Sequence, residues 1–176
     1  MSGVPLEKLQ AAIRDVPDFP TPGVIFKDIT PILADPTLFG GVVDVLADEA
    51  EKIRPDKIVG IDARGFLFGA AVAYRLRRGF IPVRKRGKLP YQTISFAYQL
   101  EYGSAEMEMH VDAISPGDRV VLVDDLLATG GTSGAAIHLV QQTGGTVEAA
   151  LFFIELSFLN GRERLGNVPV RTLVRF

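Results

Sequence analysis

Short apolar runs alternate with longer amphipathic ones along most of the chain. Lys57–Ile61, Phe80–Val83, Arg119–Val123 and Val147–Ile154 read as buried strands, and Gly65–Arg77 and Thr132–Thr143 read as helices between them. Continuous apolar strands alternating with helices predict an α/β fold with a mostly parallel sheet flanked by helices. Ahead of this pattern, Leu6, Leu9 and Ile13 share one face of a helix that begins at Pro5. A proline-rich loop, Pro17 to Gly23, follows. Asp35 then reads as an N-cap with Pro36 at the first helical position, opening a helix that turns Leu38, Phe39, Val42, Leu46 and Ile53 inward and ends before Pro55. One stretch departs from the pattern. Ile94, Phe96, Tyr98 and Leu100 alternate with other residues, and after Gly103-Ser104 so do Met107, Met109 and Val111. A period of two predicts an antiparallel hairpin inserted into the α/β body, fit to be a lid, a dimer arm or decoration.

Neither a repeat nor a linker interrupts the 176 residues, so the chain is expected to form one domain. Hydrophobic residues at 47% and charged residues at 23% are globular proportions. With 19 Lys+Arg against 21 Asp+Glu, a coat for nucleic acid is not expected. The absence of cysteine excludes disulfides, thiolate metal sites and a Cys nucleophile, and fits a reducing compartment. The longest nearly apolar run, Gly65 to Tyr74, is far short of the ~20 residues of a membrane span. The N-terminus shows no basic head followed by an apolar stretch, so the expected location is cytoplasmic, with no membrane partner.

The strongest chemical signal runs from Val120 to Ser133. An apolar strand ends in Asp124-Asp125, a small-residue loop follows, and a helix begins near Thr132. The loop from Ala128 can aim several backbone N–H groups at one phosphate, with hydroxyls from Thr129, Thr132 and Ser133 and the partial positive charge of the helix start. Two carboxylates would repel that phosphate, so they call for neutral diols, a cation or developing positive charge beside it. A ribose 5-phosphate satisfies all of these. The plainer alternative is a capped helix start after a strand. Gly60 to Gly65 has the glycine spacing of a P-loop, but Phe66 stands where that motif needs Lys. Asp62-Ala63-Arg64-Gly65 is a second strand-to-helix turn, able to hold another anion or simply to carry a surface Arg. Arg84-Lys85-Arg86-Gly87-Lys88 puts four cations in five residues, which read as a solvated edge, a nucleic-acid patch or a site for a departing diphosphate. Phe26, after the proline-rich loop, either stacks on a flat ligand or packs the loop's own small core. His110 and His138 lack metal-ligand spacing and read as structural.

The Val120–Ser133 run resembles the phosphoribosyl-diphosphate-binding motif of the type I phosphoribosyltransferases. Asp18–Pro31, Asp62–Gly69, Arg84–Pro90 and Leu100–Gly103 resemble, in order, further segments of the members that use adenine, and the likeness extends from about residue 5 to the end. The resemblance implies an N-terminal base-binding hood (about 1–34), a hairpin lid (about 86–112) and the reaction of adenine with phosphoribosyl diphosphate to AMP and diphosphate. It implies catalytic Glu101, Asp124 and Asp125, with the 5-phosphate on Ala128, Thr129, Gly130, Gly131 and Thr132. The diphosphate falls to Ala63, Arg64, Arg84, Lys85 and Lys88. The base falls to Ile25, Phe26, Lys27 and Leu126, sandwiched by Phe26 and Leu126 and read by main-chain groups of the other two. Mg2+ is implied as cofactor, held through substrate with no direct protein ligand. A homodimer is implied whose interface brings Arg84 toward the neighbouring site. A transferase for another purine base, or a non-catalytic purine-responsive regulator, is the alternative.

Overall fold

A computed structural model describes residues 4–99 and 104–176, and the chain divides after Val45 into two compact units. The first holds α1 (Leu6–Ala12), β1 (Arg14–Pro17), β2 (Ile25–Asp28), α2 (Thr30–Ala34) and the start of α3 (Pro36–Ile53). Its core is Leu9, Ile13, Ile29, Ile32, Leu38, Val42 and Val43. Leu6, expected on the buried face of α1, is instead 46% exposed. Asp35 does cap α3: its Oδ1 accepts the N–H groups of Thr37 (2.8 Å) and Leu38 (3.1 Å). The proline-rich segment is the tip of an antiparallel pair, with Val16 opposite Phe26. Asp18 Oδ1 accepts the Gly23 N–H at 2.8 Å and ties the tip closed.

The second unit continues through β3 (Lys57–Ile61), α4 (Gly65–Leu76), β4 (Gly79–Lys85), β5 (Thr93–Gln99), β6 (Ser104–His110), β7 (Arg119–Leu127), α5 (Gly131–Gln142), β8 (Thr146–Glu155) and β9 (Val170–Arg175). Two 3-10 turns, Ser157–Leu159 and Gly161–Leu165, precede β9. The seven strands form one sheet in the order β5-β6-β4-β3-β7-β8-β9. β4, β3, β7, β8 and β9 run parallel, and the β5–β6 hairpin joins antiparallel through β4. The expected mostly parallel sheet with an inserted hairpin is therefore present, and β9 is a strand that the apolar pattern did not announce. Successive residues of β8 point to opposite faces. Phe152 joins the core that α5 covers, while the Phe153 ring lies 5.8 Å from Phe68 of α4.

The connection from β3 through α4 leads one way along the sheet, to β4. The connection from β7 through α5 leads the other way, to β8. Between β3 and β7 the winding reverses. The two loops leaving their carboxyl ends must diverge there, and an open α/β sheet offers its ligand crevice at such a point.

Candidate active site

The two diverging loops line a cleft of about 250 Å³. Asp62, Ala63 and Arg64 form one wall and the 124–133 segment forms the other. β7 does not stop at Val123 as the apolar run suggests. Asp124 stays in register with Phe152, and Leu126 with Ile154, so pairing with β8 carries the strand to Leu127. Both carboxylates thus sit inside the strand, 8% and 5% exposed, and not at its free end.

Burial first, and then the neighbouring carboxylate, push the Asp124 acid well above the usual carboxylate range. Burial also raises Asp125, and Arg64 works against it. Arg64 Nε lies 2.8 Å from Asp125 Oδ2. This is a charge contact rather than an aligned hydrogen bond, since Oδ2 accepts no well-directed donor among the described residues. The Asp125 N–H donates to Asp124 Oδ1 at 2.9 Å. One ion pair therefore joins the turn after β3 to the strand β7 across the winding reversal.

Beyond β7 the backbone turns at Gly130, whose φ of +78° is the left-handed region, and α5 begins at Gly131. First-turn amides of a helix have no intrahelical acceptor, so Gly131, Thr132 and Ser133, which line the cleft, can offer donors to an anion there. Thr129 is exposed and Thr132 half-buried. Thr132 Oγ1 is 2.9 Å from the Tyr98 hydroxyl of β5, and either can be the donor.

The basic segment is not a free loop, because β4 extends through Lys85. Arg84 Nε donates to Asp62 Oδ2 at 2.9 Å and Nη1 to the Lys88 carbonyl at 3.1 Å. Lys85 and Lys88 are exposed. Glu108 of β6 accepts the N–H groups of Lys88 and Leu89, both at 2.8 Å. Its burial opposes ionisation, yet the backbone donors of Leu89, Gly87 and Lys88 hold it below the usual carboxylate range.

Residues 29–164 match the family of the phosphoribosyl transferase domain. The adenine phosphoribosyltransferase of Acidothermus cellulolyticus is 54% identical over 169 residues, which is 96% of each chain. The chain belongs to the adenine phosphoribosyltransferase family. Among solved structures, the adenine phosphoribosyltransferase of Thermoanaerobacter pseudethanolicus superposes with a TM-score of 0.95 at 50% identity, over 98% of this chain and 100% of that one. The Saccharomyces cerevisiae enzyme, solved with D-2,5-dideoxy-2,5-imino-altritol 1,6-bisphosphate and adenine, gives 0.90 at 42% identity, over 96% of this chain and 97% of that one.

Against the family's pattern, the structure brings Ala63, Arg64, Asp124, Asp125, Leu126 and the 128–132 loop to one cleft. Ile25, Phe26 and Lys27 lie on β2 in the N-terminal unit. There Phe26 packs edge-on against Phe19, with ring centres 5.2 Å apart. Lys27 Nζ meets Asp15 Oδ1 at 2.6 Å, so its side chain is engaged across the β1–β2 pair. Glu101, with the rest of 100–103, lies outside the described residues. The His138 ring stacks on Phe96 at 3.9 Å, a packing role. Sequence reasoning missed Tyr98, Asp62 as the partner of Arg84, and Glu108. Tyr98 had a usable signal, since the period-two pattern of the hairpin puts it on the same face as Phe96. The Asp62–Arg84 and Glu108 links join distant segments and leave no local trace.

Proposed function

We propose that this chain transfers the phosphoribosyl group of phosphoribosyl diphosphate to adenine, forming AMP and diphosphate in purine salvage. The observation that carries the reading is the buried Asp124–Asp125 pair between two anion-binding loops at the winding reversal. Ala128, Thr129, Gly130, Gly131 and Thr132 take the 5-phosphate. Asp124 and Asp125 accept the ribose hydroxyls and lie beside the ring as positive charge develops on it. Ala63 and Arg64, with Arg84, Lys85 and Lys88, take the diphosphate as its negative charge grows. Phe26 and Leu126 take the faces of adenine, main-chain groups of Ile25 and Lys27 take its edge, and Glu101 acts near the reacting centre. The adenine bound in the yeast relative supports this choice of base.

The donor set fits a hard cation only in part. Two carboxylates are close at hand, but no cluster of three or more His, Cys, Asp or Glu side chains suits a metal among the described residues. Mg2+ would therefore bind chiefly to substrate oxygens, with Asp124 and Asp125 nearby, and supply charge neutralisation to the diphosphate. The working form is a cytoplasmic homodimer. No described helix is long and apolar enough to cross a membrane, and Leu67 and Tyr74 stand exposed on α4 for a second copy.

Incubation with phosphoribosyl diphosphate, Mg2+ and each of adenine, hypoxanthine, xanthine and orotate should yield AMP alone. Another nucleotide would reassign the base, and none at all would favour a regulator. Phe26→Ala should raise the KM for adenine more than that for phosphoribosyl diphosphate, because the ring stacks on the base only. Equal rises would leave Phe26 as packing for Phe19. Mixing Arg84→Ala with Asp125→Asn subunits should restore activity, since one site of each heterodimer then has both groups intact. No return after verified exchange would confine Arg84 to its own chain, where Asp62 holds it.

A further inference from the structure

The 3-10 turn Gly161–Leu165 contributes nothing to the lining of the cleft, yet it stands directly behind the 128–132 loop. A Cβ on Gly161 would overlap the Ala128 carbonyl oxygen and lie 3.1 Å from the Gly130 nitrogen. A Cβ on Gly130 would overlap the Gly161 carbonyl oxygen and come within 3.1 Å of Leu165 Cδ1. One on Gly134 would lie 2.9 Å from the Arg164 carbonyl oxygen. The shortest of each set of approaches is to a backbone carbonyl, so backbone meets backbone and a shift of the turn is passed to the loop.

Arg162 fixes the turn. Its Nε and Nη2 donate to Glu155 Oε1 at 2.6 Å and Oε2 at 2.8 Å, a two-pronged fork. Its Nη1 donates to the Val170 carbonyl at 3.2 Å. Glu155, 6% exposed at the end of β8, also accepts the Thr172 hydroxyl at 2.9 Å and pairs with Arg175 at 3.1 Å. The turn is thereby tied to both β8 and the edge strand β9.

We propose that the Glu155–Arg162 pair is a positioning device for the 5-phosphate loop, setting the aim of its amides through the Gly161–Ala128 and Gly161–Gly130 contacts. This rests on the reading that Ala128–Thr132 holds the 5-phosphate. Neither residue lines the cleft. A loop aimed wrongly by a fraction of an ångström loses phosphate affinity while the base site is unaffected.

The test compares wild type, Thr132→Val, Arg162→Gln, Arg162→Lys and Gly161→Ala by titration with ribose 5-phosphate and by steady-state kinetics. Arg162→Lys keeps the charge and loses the fork. Gly161→Ala keeps the ion pair and disturbs only the contact. Arg162→Gln, Arg162→Lys and Gly161→Ala should each weaken ribose 5-phosphate binding and raise the KM for phosphoribosyl diphosphate by ~10-fold, with the KM for adenine unchanged. If Arg162→Gln or Gly161→Ala does not fold, Arg162→Lys decides. Unchanged ribose 5-phosphate binding in folded variants overturns the proposal, as does an equal loss for both substrates. If wild type binds ribose 5-phosphate no better than Thr132→Val, the loop's assignment falls first and the proposal with it.

Discussion

Changing Asp124 to Asn should lower turnover by ~10-fold or more, about 1.4 kcal/mol of barrier for each decade, and at the same time make the folded chain harder to melt at neutral pH. The first effect follows from losing a charge beside the developing ring cation. The second follows from burial. Asp124 has a folded pKa above its unfolded one. The stability linked to such a group is fully present below the unfolded pKa and is lost as pH rises through the folded pKa. Above the unfolded pKa the acid is thus a net cost, whichever form it takes in the folded chain. Asn removes the charge and still accepts the Asp125 N–H through its amide oxygen. Melting curves of wild type and Asp124→Asn should therefore converge in acid and separate as pH rises. A variant that melts lower at pH 7, or keeps full activity, would contradict the assignment. Asp125→Asn should lose comparable activity with less gain in stability, because it also gives up the attraction of Arg64.

Gly65→Ala should damage both fold and chemistry through one methyl group. Gly65 opens α4 against β7. A Cβ there would overlap Asp124 Oδ1 and lie 3.1 Å from its Cγ and 3.3 Å from its Cα. The last of these is backbone of a central strand, which cannot swing aside. Either α4 withdraws from the sheet or the carboxylate leaves its place. The expected cost is about 1–3 kcal/mol of stability. That corresponds to a fall of ~2–4 °C in Tm per kcal/mol for a chain of this size, accompanied by a marked drop in kcat. Gly40→Ala is the control. It lies inside α3 with nothing among the described residues within 4 Å of the added Cβ. Helix propensity alone should raise its stability by up to about 1 kcal/mol, with activity unchanged. If both variants melt like wild type, the close approach of Gly65 to Asp124 is not tight in solution.

The parallel core was legible because β3, β7 and β8 are buried on both faces and so write uninterrupted apolar runs. The hairpin was legible because apolar and polar residues alternate along both strands, with one face of β5 exposed. β1 gave no such signal. Arg14–Pro17 is largely exposed and its one half-buried side chain is Val16, so pairing with β2 rests on backbone and on the Arg14–Asp28 and Asp15–Lys27 ion pairs rather than on a buried stripe. β9 is an edge strand in which Arg171 and Arg175 interrupt the apolar positions. The end of β7 was misjudged for the opposite reason. Asp124 and Asp125 look like solvent-seeking residues, yet backbone pairing with β8 carries them into the interior, and such a burial of charge is found where chemistry requires it. The 128–132 loop could be read because its glycines and threonines are contiguous. Its rear support by Gly161 could not, since two backbones in contact leave no mark on side-chain pattern.

The reversal of winding between β3 and β7 also governs when the cleft comes into being. Lys57 pairs with Val120 and Gly60 with Val123, so α4, β4 and the whole hairpin lie within the span of chain that must close before the two central strands meet. Closing a long loop costs entropy before any contact repays it, and parallel pairing of this kind forms slowly. A chain emerging from the ribosome therefore carries Arg64 well before Asp125 exists to meet it. In refolding, competence to bind ribose 5-phosphate should appear with the last cooperative phase and never ahead of it.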